Sequence, residues 1–206
     1  YITLKLAVLT QLHKIPLSLK GENGKMSLFH RRQGQMTNDV IYFFTATVNN
    51  FYPLLKEVEV KMIIIDSLSY LIKNNLATVY GFVIMPNHIH LIWKALSNNG
   101  NETTVGSFMK FTAHQFQKYL RAFDPAKLDL YKSMSSDRSF HFWKRDPLAI
   151  PLSSVNILEQ KLDYIHKNPL QEKWKLANLE EDYKWSSARF YEDGTDEFAI
   201  LTHYMD

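Results

Sequence analysis

The sequence predicts an α+β domain built on a mainly antiparallel sheet, and three patterns lead to that prediction. A strand is predicted over 39–48 because this run is rich in β-branched and aromatic residues. Two more apolar runs, 77–85 and 88–94, are separated only by Pro86-Asn87, and so short a connection implies an antiparallel hairpin. Three longer segments repeat apolar residues at the three- and four-residue spacing of helices: 54–74, 103–123 and 154–168.

Capping residues and prolines mark the ends of the helices. A threonine at 103 or 104 can cap the second helix, and Asp124-Pro125 ends it. Ser153 or Ser154 can cap the third helix, which Pro169 terminates. Two short elements complete the prediction, namely an edge strand at 140–143 and a helical packing segment at 183–188.

The composition fits one folded domain. The chain has 206 residues, of which 46% are hydrophobic, enough for an ordinary core. We predict a single domain over 38–206, preceded by a leader at 1–37 that resembles nothing recognised. The absence of cysteine excludes disulfides and thiolate metal sites, and it fits a cytoplasmic location. No run is long enough for a membrane helix, so no membrane partner is expected.

Basic charge is concentrated in one part of the chain. The net charge of +3 is too small to indicate nucleic-acid binding by itself. Between residues 104 and 145, however, eight lysines and arginines stand against three aspartates, a local charge of +5. This segment is either a solvated helix face and loop or a surface that follows a phosphate backbone.

His88 and His90 stand two residues apart on the predicted third strand. Because strand side chains alternate between faces, both imidazoles point to one side and Ile89 points to the other. Two imidazoles held in this way can ligate one cation. Two ordinary strand histidines would give the same spacing in a chain with 8 histidines, so the spacing alone does not establish a metal site.

Tyr164 and Asn168 are four residues apart on the third helix and therefore lie on one face. The phenol can stand there beside an asparagine carbonyl that completes the coordination of a metal. Lys161 and Lys167 flank this face and could hold phosphate. His166 lies roughly on the opposite side and is interpreted as structural or solvent-facing. The alternative interpretation is a plain amphipathic helix with a surface tyrosine.

Two phrases of the sequence resemble a known family. The phrase at 80–93, Tyr-Gly-Phe-Val-Ile-Met-Pro-Asn-His-Ile-His-Leu-Ile-Trp, resembles the signature of single-tyrosine HUH transposases, in which a bulky hydrophobic residue separates two histidines. The phrase Tyr-Ile-His-Lys-Asn-Pro at 164–169, with 183–188 after it, resembles the REP-associated tyrosine transposase (RAYT) branch. Segments 107–120 and 143–145 are also similar to that branch, and the resemblance covers residues 38–192.

This resemblance implies a ferredoxin-like core with the histidine pair on a central strand and the tyrosine on a later helix. His88 and His90 would be metal ligands and Tyr164 the nucleophile. Asn168 would be the third ligand, where related transposases often have glutamine. The cation would be Mg²⁺ or Mn²⁺, and two imidazoles suit Mn²⁺ better. The DNA contacts would come from seven basic side chains: Lys110, Lys118, Arg121, Lys144, Arg145, Lys161 and Lys167.

The implied activity is that of a DNA transposase. It would cleave and rejoin single-stranded DNA near a hairpin through a 5′-phosphotyrosine intermediate, and a homodimer is compatible with the sequence. One alternative is a catalytically retired protein that binds hairpin DNA and regulates or marks it. Another is a metal-dependent hydrolase whose nucleophile is water. Trp143 and Trp185 either stack on bases or pack in the core.

Overall fold

The computed structural model describes residues 36–133 and 139–206, so the predicted leader at 1–37 lies almost wholly outside the described residues. Four strands form one antiparallel sheet in the order β2-β3-β1-β4: β1 (Ile41–Thr47), β2 (Ala77–Met85), β3 (His88–Ala95) and β4 (Leu148–Pro151). The helices are α1 (Val58–Lys73), α2 (Thr104–Phe123), α3 (Pro125–Asp129), α4 (Val155–Lys167) and α5 (Ala188–Asp193).

The order β1-α1-β2-β3-α2-β4, with β3 inserted between β1 and β2, is the ferredoxin-like arrangement. The predicted fold class is therefore confirmed, with the histidine pair on β3, a central strand. None of the helices within the described residues is long and apolar enough to cross a membrane.

The sheet separates two layers of different character. On one face the ring of Trp93 lies 5.4 Å from that of Phe44 and 5.9 Å from that of Phe108 on α2, between ring centroids. The helices α1 and α2 cover this face and enclose most of the apolar core. The other face carries His88 and His90, and α4 packs there over β2 and β3.

Two of the predicted short elements are wrong. Residues 140–143 make only isolated bridges, from Phe140 to Lys132 and from Trp143 to Val48, and the fourth strand is β4 instead. This strand has only four residues and ends in Pro151, which an edge strand tolerates because one side of its backbone needs no partner.

Residues 183–187 form a turn with one bridge, between Ser186 and Val83, along the outer edge of β2, where a helical segment was predicted. Ile84 N–H donates to the Trp185 carbonyl at 2.8 Å, and Ser187 N–H donates to the Phe82 carbonyl at 2.9 Å. The phenol of Tyr183 donates to the Ile84 carbonyl at 2.8 Å. These bonds satisfy polar groups that an open sheet edge would leave unpaired.

Gly81 allows α4 to approach the sheet closely. A Cβ atom at this position would lie 2.6 Å from Cδ2 of Leu162 and 3.3 Å from Cδ1 of Ile165. We therefore expect Gly81→Ala to lower the free energy of unfolding by about 1–3 kcal/mol through overpacking. Urea denaturation of the variant measures this loss.

The control for Gly81→Ala is a double-mutant cycle with Leu162→Ala, which removes the nearest methyl group. The double variant should lose less stability than the two single variants together, because the overlap is absent from it. An unfolding free energy for Gly81→Ala within about 0.5 kcal/mol of the unaltered protein would contradict the expectation.

Candidate active site

The histidine pair and the tyrosine meet on the face of the sheet that α4 covers. The rings of His88 and His90 have centroids 4.9 Å apart, and the ring of Tyr164 lies 5.4 Å from that of His90. Phe43 stacks on His90 at 5.2 Å and meets Tyr164 edge-on at 6.0 Å. Because Tyr164 is 44% exposed, its phenol is accessible to a ligand while its ring is held in place.

Asn87 and Thr45 orient the two imidazoles. The Asn87 amide donates from Nδ2 to the Phe51 carbonyl at 3.2 Å, so its Oδ1 accepts the Nδ1–H of His88 at 2.8 Å. This leaves Nε2 of His88 with the lone pair. Nδ1 of His90 lies 2.7 Å from the hydroxyl oxygen of Thr45, which can donate or accept. In metal sites, a hydrogen bond to one ring nitrogen usually orients the imidazole so that its other nitrogen faces the metal.

Both imidazoles are neutral around pH 7. Burial lowers the pKa of His88 to about 4, with a smaller contribution from the positive charge of Lys173. Burial also lowers the pKa of His90 to about 3, and the positive charges of a protonated His88, of Lys161 and of Lys173 act in the same direction. A neutral imidazole keeps the lone pair that a metal ligand needs.

Two lysines bring positive charge to this face. The ammonium of Lys161 lies 4.9 Å from the ring centroid of Phe43 and 5.8 Å from that of Tyr164. The ammonium of Lys173 lies 5.5 Å from the ring centroid of Trp174, whose ring is 5.8 Å from that of His88. The surroundings of the histidine pair therefore favour an anion.

Asn168 ends α4 and is only 2% exposed. Its Nδ2 is buried and has no hydrogen-bond partner among the residues that the structure describes. Rotating the amide exchanges this atom for Oδ1, an oxygen that can ligate a metal. The same part of the chain contains no group of three or more His, Cys, Asp or Glu side chains that could hold a metal. The side chains that could supply donors to a cation are the two imidazoles on β3 and the buried amide at the end of α4.

Ser187 joins α4 to the sheet. Its hydroxyl oxygen accepts from Phe82 N–H at 3.0 Å and lies 2.9 Å from Nε2 of His166. The buried ring of His166 also lies 5.7 Å from that of Tyr191. Of the two predicted interpretations of His166, structural or solvent-facing, the structural one holds.

Most of the predicted DNA contacts lie away from the histidine pair. Three of them belong to α2, on the opposite face of the sheet: Lys110, Lys118 and Arg121. Lys110 pairs with Glu102 at 2.6 Å, and it lines a broad groove of about 1280 Å³ together with Lys144 and Arg145. Lys167 is on α4 and pairs with Asp163. Of the seven predicted contacts, Lys161 lies over the rings of Phe43 and Tyr164, the two aromatic residues that contact His90.

Sequence reasoning missed Thr45, Lys173 and Trp174. Thr45 had a signal, since it is a polar residue in an apolar strand, but its partner is 45 residues away. Lys173 and Trp174 follow α4 in a segment without periodicity. Trp143 and Trp185 are both buried; Trp143 donates from Nε1 to Thr112 Oγ1 at 2.9 Å, and Trp185 stacks on Phe198 at 5.5 Å. Both tryptophans therefore pack in the core.

The three depressed histidine pKa values predict acid sensitivity. In the unfolded chain these side chains titrate near pH 6.5, whereas burial lowers the pKa of His88 and His166 to about 4 and that of His90 to about 3. The unfolded state therefore binds more protons in this window. The contribution of the three neutral histidines to the free energy of unfolding is therefore complete above about pH 6.5. On acidification the free energy of unfolding falls by up to about 1.4 kcal/mol per pH unit for each histidine.

Urea denaturation with EDTA present, at pH values from 7 to 4.5, measures this loss. The variant His166→Gln can still bond to Ser187 Oγ, and it should show a shallower dependence on pH because one of the three groups is gone. An unfolding midpoint that does not change between pH 7 and pH 5 would contradict the expectation.

Comparison with known proteins gives matches at the level of structure. No protein-family model and no curated protein matches the sequence. A REP-associated tyrosine transposase solved bound to a REP hairpin matches with a TM-score of 0.54 and 16% identity, over 84% of this chain and 91% of that chain. A candidate transposase from Deinococcus radiodurans R1 matches with a TM-score of 0.42 and 17% identity, over 65% of this chain and 93% of that one. The first match confirms the fold that the sequence motifs imply.

Proposed function

We propose that this chain is a DNA strand transferase of the REP-associated tyrosine transposase type, which cleaves and rejoins single-stranded DNA near hairpins. The observation that carries the proposal is the position of Tyr164, half exposed with its ring 5.4 Å from the ring of His90. A phenol at an oriented imidazole pair, among lysines, is suited to attack on a phosphodiester. The match to a transposase solved with a REP hairpin supports hairpin DNA as the partner.

The proposed step transfers a phosphoryl group from DNA to the tyrosine. The phenolic oxygen of Tyr164 gives its proton to solvent water and attacks phosphorus in line. The bond from that oxygen to phosphorus forms while the bond from phosphorus to the 3′-oxygen breaks, and the 3′-oxygen takes a proton from water and leaves as a hydroxyl. The 5′-phosphate stays on the tyrosine. Attack by another 3′-hydroxyl reverses the step and joins two strands without an external energy source.

His88, His90 and Asn168 would hold the divalent cation, Mg²⁺ or Mn²⁺. When bound, the cation offsets negative charge on the scissile phosphate. Thr45 and Asn87 orient the two imidazoles through hydrogen bonds to their Nδ1 atoms. Two observations support the fit of these side chains to a divalent cation, namely the neutral state of both imidazoles and the buried amide nitrogen of Asn168, which has no partner among the described residues.

Basic residues divide between two roles in this proposal. Lys161 stands over Tyr164 and would neutralise the phosphate at the cut. The groove lined by Lys110, Lys144 and Arg145 would contact DNA away from the cut. Lys144 reaches the end of β1, where its N–H donates to the Thr47 carbonyl at 2.7 Å. Three further side chains would add contacts with the backbone: Lys118, Arg121 and Lys167.

The test is a denaturing gel of the protein with labelled single-stranded hairpin oligonucleotides from its own genomic flanks, with Mn²⁺ or with EDTA. A metal-dependent band at the mass of protein plus DNA is the expected result. Cleaved DNA without that band would indicate hydrolysis by water. Binding across a wide panel of flanking hairpins without cleavage would indicate a retired hairpin-binding protein.

A further inference from the structure

Phe51 is a large aromatic residue that the fold leaves in contact with solvent. It is 60% exposed and follows β1 in a short turn. Asn50 and Phe51 both have positive φ, +55° and +56°. A bulky residue rarely adopts this left-handed conformation, which persists where the surrounding structure enforces it and which is concentrated at functional sites. The structure therefore fixes an exposed aromatic residue in one place.

Hydrogen bonds tie this turn to the start of β3. The Phe51 carbonyl accepts from Nδ2 of Asn87 at 3.2 Å, and Oδ1 of the same amide accepts from Nδ1 of His88 at 2.8 Å. Val48 N–H donates to the Asn87 carbonyl at 2.8 Å. Thr47, the last residue of β1, pairs with His88 in the strand register. Phe51 therefore lies at the end of the sheet where the histidine pair begins, and one amide side chain joins its carbonyl to the His88 imidazole.

Lys144 brings a positive charge to the ring of Phe51. Its ammonium lies 5.4 Å from the centroid of that ring. Lys144 is itself exposed, and it lines the groove of about 1280 Å³ together with Lys110 and Arg145. Its N–H donates to the Thr47 carbonyl at 2.7 Å, so this contact lies at the same end of the sheet as His88. A DNA strand that runs from the groove to the histidine pair would pass round this end of the sheet and meet Phe51.

An exposed ring beside an ammonium suits a ligand that has a flat face and a negative charge. The ring offers a surface for stacking, and the ammonium of Lys144 attracts phosphate. An unpaired nucleotide has both properties, and stacking of single-stranded bases on aromatic side chains is common. A base inside a duplex has both faces covered by its neighbours. An apolar protein surface would gain nothing from the ammonium over the ring. The pair therefore favours single-stranded DNA.

We propose that Phe51 and Lys144 form a stacking site for an unpaired base beside the cut, with the base on the phenyl ring and the ammonium at the adjoining phosphate. The inference rests on the proposed function and adds a contact with a base, whereas the residues assigned above contact phosphate. Stacking accepts any base, so Phe51 positions the strand and does not read its sequence. Because Asn87 bonds to both Phe51 and His88, the stacked base is held in a fixed position relative to the histidine pair.

The experiment measures binding by fluorescence anisotropy in EDTA. The probe is the labelled hairpin oligonucleotide with a single-stranded extension that the unaltered protein binds most tightly among its genomic flanks. Phe51→Leu keeps an apolar side chain and removes the aromatic face, and it should weaken binding at least about fivefold, the lower end for one stacked base. Phe51→Tyr keeps the aromatic face and should bind within about twofold of the unaltered protein.

The matched control is Tyr70→Leu. Tyr70 is 51% exposed and lies on α1, away from every proposed DNA contact, so its replacement should leave the affinity unchanged. Both leucine variants change exposed side chains, and neither is expected to impair folding.

A scan with abasic nucleotides locates the stacked base. Each nucleotide of the single-stranded extension in turn lacks its base in one oligonucleotide of a set. Removing the base that stacks on Phe51 should weaken binding by the unaltered protein and abolish the difference between it and Phe51→Leu, because the two changes remove the same contact. Removing any other base should leave that difference in place.

The proposal is overturned if Phe51→Leu binds like the unaltered protein, or if its loss of affinity persists at every abasic position. Because the measurement needs neither metal nor cleavage, its failure and that of the proposed function are distinguishable. A loss that one abasic position abolishes, in a protein that forms no adduct, would contradict strand transfer and support base stacking. An adduct together with equal affinities for Phe51→Leu and the unaltered protein would do the reverse.

Discussion

Replacing Tyr164 with phenylalanine is expected to abolish the covalent protein–DNA adduct, a loss of at least about a thousandfold. The phenolic oxygen is the atom that would bond to phosphorus, and no neighbouring group can replace it in the same geometry. Hairpin binding should stay within about twofold, because a half-exposed ring keeps its packing against Phe43 and His90 when one oxygen is removed.

The matched control for Tyr164→Phe is Tyr70→Phe. Tyr70 is 51% exposed, close to the 44% of Tyr164, but it lies on α1 in the opposite layer. This variant should form the adduct at the rate of the unaltered protein. A denaturing gel measures the adduct, and a gel-shift assay at fixed salt measures binding. An adduct that persists in Tyr164→Phe would mean that another residue is the nucleophile.

Replacing His88 with alanine is expected to remove both Mn²⁺ binding and adduct formation while Tyr164 stays in place. Losing an orienting partner of a ligand typically costs 10–100-fold in metal affinity or activity, so losing the ligand should cost more. Calorimetry with Mn²⁺ gives the affinity, and the denaturing gel gives the activity.

His114→Ala is the matched control for the ligand variant. His114 is an exposed histidine on α2, which covers the other face of the sheet, so its loss should leave the Mn²⁺ affinity unchanged. Adduct yields that are equal with Mn²⁺ and with EDTA in the unaltered protein would contradict a metal role for the pair. So would full Mn²⁺ affinity in His88→Ala.

Features with a local signal were the ones that the sequence predicted well. The strand that carries His88 and His90 follows from alternation along one segment, and α2 begins after the predicted cap Thr103. The position of Tyr164 on α4 follows from helical periodicity in the same way. In each case the residues that decide the structure are close together in the chain.

Features that depend on distant partners could not be predicted. Residues 183–187 lie along the edge of β2 because they form hydrogen bonds to it, a contact about 100 residues away that no local pattern shows. Thr45 reaches His90 only through the register of β1 against β3. Lys173 joins the site because the turn after α4 folds back, and that depends on backbone hydrogen bonds rather than on composition.

The alternation along β3 makes the site sensitive to the parity of any change in strand length. The connection between β2 and β3 is two residues long, and β3 places His88 and His90 on one face and Leu91 and Trp93 on the other. Inserting one residue into the strand before His88 would exchange the faces of these side chains, so that the imidazoles would point into the hydrophobic core under α2. Inserting two residues would restore each set to its side. Insertions of an odd number of residues at this point should therefore disrupt both the hydrophobic core and the histidine site. Insertions of an even number should have smaller effects on both.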